Sequence, residues 1–178
     1  MTSGTPDPAD LGALALRDAL ATGALRAVEV TRAYLARIEQ REPEVQAWAA
    51  LDEGYALAQA EALDEKRLAG LPLGPVHGLP VGVKDIVDTQ DLPTENGAAL
   101  DAGRRPEEDA WLVSRLRAAG AVILGKTVTT ELAYLAPAKT RNPLAPDHTP
   151  GGSSSGSAAA VAAGMVPCLL YTSPSPRD

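Results

Sequence analysis

Residues 106–124 read PEEDAWLVSRLRAAGAVIL, and their pattern changes period at a single glycine. Pro106 followed by Glu107, Glu108 and Asp109 marks a helix start, because proline tolerates the first turn and carboxylates favour the free amides there. Leu112, Leu116 and Ala119 then recur on one face, and Gly120 ends a helix predicted over 107–119. Ala121-Val122-Ile123-Leu124 follows at once as a continuous apolar run, which predicts a strand buried on both faces. A helix, a glycine and a buried strand in direct succession form the pattern of an α/β protein.

Upstream, the turn-rich passage 72–80 leads into Val81-Gly82-Val83, a short predicted strand with Lys84 and Asp85 at its carboxyl end, where α/β proteins place their chemistry. Earlier still, helices are predicted over 11–20 and 29–41. Thr31, Tyr34, Leu35 and Ile38 share one face of the second, and Pro43 is predicted to stop it. A short apolar run around Trp48 precedes a third helix over 52–68, with Ala56, Ala60 and Leu63 in period. Downstream, a proline-rich loop over 136–150 delivers Gly151-Gly152-Ser153-Ser154-Ser155-Gly156-Ser157, and residues 158–163 predict a short helix closed by Gly164. Residues 1–9 read as a disordered polar leader, and no internal repeat is present.

Composition narrows the function classes. The 178 residues suffice for one ordinary domain, with a core built from small aliphatic side chains because Phe is absent. A net charge of −7 without any basic stripe argues against nucleic acid as a direct ligand. The long uncharged stretch beginning at Thr149 is rich in Gly, Ser and Pro, so no membrane span is expected. The amino terminus lacks the basic and apolar regions of a secretory signal, and a cytoplasmic location follows. Cys168 is the single cysteine, which excludes an internal disulfide and a cysteine-based zinc site; no metal or cofactor is expected.

The serine-glycine segment admits several interpretations. A flexible linker would separate two compositional zones, whereas this segment runs straight into an Ala-rich helix whose first amides need partners. A phosphate loop would carry lysine where Ser157 stands. A nucleophile elbow matches Gly152-x-Ser154-x-Gly156, but it requires a preceding strand and a later histidine, and neither is found.

Taken with Lys84, the segment fits a fourth pattern. His77-Gly78-Leu79-Pro80-Val81-Gly82-Val83-Lys84-Asp85 resembles the lysine motif of the amidase signature family, and residues 151–164 resemble the start of its serine-glycine signature. Gly125-Lys126-Thr127, Glu131-Leu132-Ala133 and Asn142-Pro143 resemble the segment that connects them, in the correct order over residues 11–167. The resemblance implies an α/β/α fold around a mixed sheet flanked by helices, of which this chain holds the N-terminal, incomplete part.

It also implies a Ser-cisSer-Lys triad acting on a small-molecule amide without a cofactor. By motif position Lys84 is the lysine, Ser153 the bridging serine with an unusual cis peptide, and Ser154 a second hydrogen-bond partner of Lys84. Lysine has an ordinary pKa near ~10.4 and serves as a base once burial lowers it. Alone, Lys84 would pass for a solvated strand-end lysine. Asp85 and Asp88 are expected to cap turns, Glu95 and Glu131 to trim helix electrostatics, His77 to sit in a turn, and Met165 and Cys168 to pack.

The resemblance stops near Pro167. The position aligned with the family's nucleophile is Arg177, and the tail 168–178 is expected to be foreign to the family and to arise from truncation, leaving Ser173 and Ser175 in a proline-broken segment and the chain itself inactive. Two function classes follow: an amidase in its full-length form, with a stand-alone small-amide hydrolase preferred over a transamidation (glutaminyl-tRNA amidotransferase A-type) subunit, or a non-catalytic fragment or binding module. The oligomeric state is not encoded in these features.

Overall fold

The computed structural model describes residues 7–170. Five helices and four strands alternate: α1 (Ala13–Thr22), α2 (Ala27–Val45), β1 (Trp48–Leu51), α3 (Glu53–Leu68), β2 (Pro80–Lys84), α4 (Trp111–Ala118), β3 (Val122–Thr127), α5 (Ser155–Ala162) and β4 (Cys168–Leu170). The strands form one mixed sheet in the order β1-β3-β2-β4. β2 runs parallel to both β3 and β4, and β1 is antiparallel to β3. The fold is the expected mixed α/β sheet flanked by helices.

Period-two alternation on β3 sorts the core into two layers. Val122 and Leu124 face a cluster built by α1, α2, α5 and Trp48, while Ile123 joins Val81 and Val83 against Val113 of α4. Every residue of β2 and β3 is buried, so their backbone groups need internal partners. Where β1 ends, the Gln59 side-chain amide of α3 takes its place: Nε2 donates to Ile123 O at 3.0 Å, and Ile123 N donates to Oε1 at 3.1 Å. One glutamine thus continues the sheet edge.

Several predicted boundaries shift, each for a local reason. The leader is shorter than expected: Pro8–Asp10 forms a 3-10 turn capped by Asp7, and Arg37 of α2 ties down Asp10 at 2.7 Å; residues 1–6 lie outside the described residues. Pro43 does not stop α2. It lies in the last turn, where its missing N–H removes one bond, and the Glu42 carboxylate accepts Ala47 N and Trp48 N, each at 2.9 Å, to complete the C-terminus. α4 begins at Trp111, four residues later than predicted, because Asp109 is engaged by Gln90 N and Arg117 Nε while Ala110 N donates to Asp88 O.

α5 begins at Ser155, so the second half of the serine-glycine segment is helical. Gly156 packs directly on the chain after β3: an added Cβ would collide with Ala47 O and Val128 N. The boundary expected after Pro167 is also corrected. Cys168–Leu170 pairs with Val81–Val83 as β4, a strand that its three residues alone are too short to signal. The rest of the tail, residues 171–178, lies outside the described residues.

α2 is anchored to α3 by one buried carboxylate. Asp64 accepts Ala27 N at 2.8 Å and Val28 N at 3.1 Å, satisfying two free amides of the α2 N-terminus from a distant helix. Asp64→Ala is expected to destabilise the fold by about 1–3 kcal/mol, since both amides stay buried without an acceptor; urea unfolding at neutral pH measures it.

Candidate active site

β2 and β3 are parallel and adjacent, so their carboxyl ends meet, with Lys84 opposite Thr127. Lys84 closes β2, and its side chain is fully buried at 0% exposure. Burial of this kind is tolerated by an amine that is neutral or paired. No carboxylate reaches it among the described residues; instead Lys84 Nζ donates to Ser153 Oγ at 2.8 Å. Desolvation by the surrounding protein pushes the Lys84 pKa below the ordinary lysine value.

Ser153 comes from a loop distant in sequence, and backbone contacts hold it. Its carbonyl accepts Thr130 N at 2.9 Å and Thr129 Oγ1 at 3.3 Å. The Gly152–Ser153 peptide bond is cis. Behind it, Thr127 Oγ1 and Ser157 Oγ share a buried hydrogen bond of 2.7 Å, which fastens the first turn of α5 to the end of β3. The loop separates two open clefts. Ser153 lines one of about 520 Å³ with Ile86, Thr130, Tyr134 and Leu135; Ser154 and Ser157 line the other, about 530 Å³, with Val161 and Leu169. Gly152 borders both.

The structure brings Lys84 and Ser153 together and leaves Ser154 apart. Ser154 precedes α5, and its buried Oγ has no hydrogen-bond partner among the described residues, so the expected second bond to Lys84 is not formed. Its neighbour Ser155 Oγ is likewise unpartnered. Arg177 lies outside the described residues. Asp85 and Asp88 depart from the expected turn caps: the Asp85 carboxylate lies 3.2 Å from Lys126 Nζ, and Asp88 pairs with Arg104 at 2.7 Å, which holds its pKa below the usual carboxylate value. Glu95 accepts Gly103 N at 2.7 Å. His77 precedes Gly78 in a turn, buried, with its pKa pushed down by desolvation. Met165 is core, and burial lifts the half-buried Cys168 thiol to about 11. No cluster of His, Cys, Asp and Glu suited to a metal ion occurs among the described residues.

Lys126 is the functional neighbour that the sequence reading overlooked. It lies in β3 at 0% exposure, and its Nζ donates to Pro93 O at 3.1 Å and to Thr94 Oγ1. Desolvation pushes its pKa down and that of Asp85 up, and the attraction between the two opposes both shifts. The signal was present: a lysine inside a strand buried on both faces requires an internal partner.

The sequence model of the amidase family matches residues 29–170, which is most of the chain. The chain belongs to the amidase signature family. The A-type subunit of a glutamyl-tRNA(Gln) amidotransferase from Chloroflexus aurantiacus is 46% identical over 164 residues, covering 89% of this chain and 34% of the relative. The peptide amidase of Stenotrophomonas maltophilia matches in structure with a TM-score of 0.79 at 37% identity, over 93% of this chain and 35% of its own. A fatty acid amide hydrolase matches with a TM-score of 0.83 at 29% identity, over 92% and 31% respectively. The chain therefore spans about a third of the length of the relatives it matches. The amidase match includes β4 and ends at residue 170.

Burying Lys84 without an acid has a linkage consequence. Its folded pKa lies below the unfolded value, so between the two the unfolded chain binds the extra proton, and stability rises with pH across that window. Lys84→Met is expected to raise stability by about 1 kcal/mol at neutral pH, with the gain shrinking toward pH ~10. Urea unfolding at a series of pH values tests it; a gain that does not change with pH would contradict the assignment of a depressed pKa.

Proposed function

We propose that the protein built on this chain is an amidase that hydrolyses a carboxamide C–N bond through an acyl-enzyme, with Lys84 and Ser153 as two members of a Ser-cisSer-Lys triad. The observation that carries this is the 2.8 Å contact between a buried lysine without an acidic partner and a serine hydroxyl. The third member is a serine outside the described residues. Arg177, at the aligned position, carries no hydroxyl, so in this proposal the 178-residue chain alone is inactive.

The chemistry follows from the proton inventory. The neutral Lys84 amine accepts a proton from Ser153 Oγ as Ser153 takes one from the attacking hydroxyl, whose oxygen adds to the amide carbonyl. When the C–N bond breaks, the same proton returns through Ser153 to the departing amine, leaving an acyl ester. Water activated by the same route releases the carboxylic acid and restores the enzyme. The substrate is a small-molecule amide admitted through the clefts beside Ser153, and the reaction takes place in the cytoplasm.

A second reading has its own support. The 46% identity to the amidotransferase exceeds that to the peptide amidase, which favours a role within a multi-chain enzyme, where the liberated nitrogen passes to an acceptor held with a partner chain. This reverses the preference for a stand-alone hydrolase drawn from the sequence alone, while the amide-cleaving step stays the same.

In a protein carrying an in-frame continuation with the aligned serine, Lys84→Ala and Ser153→Ala should each lower kcat/KM by at least about 10³-fold. The double variant should be little worse than the worse single one, because relay members act as a unit. Activity should rise with pH through an apparent pKa well below that of free lysine. A panel of aryl amides, aliphatic amides and glutamine, assayed with and without an amine acceptor, separates hydrolase from transferase. Retention of activity by Lys84→Ala would refute the relay.

A further inference from the structure

We propose that Asp85 and Lys126 are positioning residues for Lys84, a buried ion pair that locks the carboxyl end of β2 and ties the lysine to the loop bearing Ser153. The inference rests on the amidase reading and goes beyond it, because neither residue touches the reacting hydroxyls.

Asp85 directly follows Lys84, and it is held at every polar group. Its N–H donates to Thr127 O at 2.9 Å, its carbonyl accepts Asn96 N at 3.0 Å, and its carboxylate faces Lys126 Nζ at 3.2 Å and accepts Glu95 N at 3.3 Å. Strand alternation directs Lys84 and Asp85 to opposite sides of the sheet end, so the lysine that faces Ser153 and the lysine that holds Asp85 are distinct. The path continues to the serine. Asn96 O accepts Leu132 N at 2.8 Å, and Thr130, two residues before Leu132, donates its N–H to Ser153 O at 2.9 Å. Gly97 has φ +63, and a Cβ there would lie 2.7 Å from Thr129 O, so the 96–97 turn presses on the strand exit that grips Ser153.

The charge arrangement gives the pair a second effect. Across β2, β3, β4, α5 and residue 85, the charged side chains are Lys84, Lys126 and Asp85, with the Cys168 thiol neutral. The 85–104 segment adds Asp88, Glu95 and Arg104 around the pair. Lys126 therefore neutralises the carboxylate nearest in sequence to Lys84 and leaves the Lys84 amine without an anion to hold its proton.

The test uses the amidase-competent protein with its native continuation. Asp85→Asn and Lys126→Met should each lower kcat by about tenfold with KM little changed, while the acid limb of the pH–rate profile moves down in pH for Asp85→Asn and up for Lys126→Met. Asp85→Asn/Lys126→Met should return the limb toward its original position and recover part of kcat, since removing both charges leaves neither unpaired. Pair members that serve folding alone would reduce the amount of folded enzyme and leave the limb in place; unmoved limbs, or losses that multiply independently in the double variant, overturn the proposal. If either charge variant does not fold, Thr94→Val, which removes one acceptor from Lys126, should still lower kcat by about twofold at unchanged KM, and an unchanged kcat overturns it. Lys84→Ala in the same preparation separates the outcomes, because activity surviving that change refutes the amidase reading itself.

Discussion

Two lysine side chains are buried at the meeting ends of two adjacent parallel strands, and the sheet contains a carboxylate partner for one of them. Lys126 has Asp85, whereas Lys84 has a serine hydroxyl. A buried ammonium without an anion costs several kcal/mol, so the protein around Lys84 favours the neutral amine, and that preference has to be held by packing instead of by a counterion. The surrounding architecture follows from this. Thr127 and Ser157 fasten α5 to β3, the Asp64 carboxylate anchors α2 on α3, and Gln59 closes the sheet edge, so the strand ends have little freedom to open a water path to Lys84.

The serine-glycine segment works under the same constraint. As a free loop it would bring a hydroxyl near the lysine part of the time. Instead the backbone of Ser153 is gripped by Thr129 and Thr130, and Gly156 permits α5 to lie directly against Val128 and Ala47. A relay through a hydroxyl requires this, because proton transfer depends on a heavy-atom separation near ~3 Å and misplacement by an ångström is costly in rate. Ser154 and Ser155 show the selectivity of the arrangement: three consecutive serines stand in the segment, and one reaches the amine.

Local pattern was enough to reveal the elements whose period is unambiguous. Thr31, Tyr34, Leu35 and Ile38 form the buried face of α2, and the run after Gly120 is a strand at the centre of the sheet. The pairing of Lys84 with Ser153 was legible from motif order, since neither residue alone distinguishes itself from a solvated lysine or a linker serine. The misses share a physical origin in tertiary partners that are distant in sequence. Pro43 stays helical because Glu42 caps the chain beyond it, α4 starts late because Asp109 is taken by Arg117, and Asp85 forms an ion pair because Lys126 lies one strand away. β4 is three residues long and gains its identity from the parallel edge of β2.

The distribution of burial separates what this core fixes from what it leaves to vary. Lys84, Lys126, Thr127 and Ser157 are inaccessible to solvent or nearly so, and any change there must be absorbed by neighbours already packed. By contrast Leu132, Tyr134, Leu135 and Leu144 are exposed apolar side chains on the loop after β3, and Tyr134 and Leu135 wall the cleft that Ser153 enters. Relatives whose names differ in the amide they act on share this core at TM-scores of 0.79 and 0.83. A fixed proton relay beneath a changeable apolar wall accounts for that combination: the buried half sets the reaction, and the exposed loop adjusts the shape of what reaches Ser153 without disturbing the lysine below it.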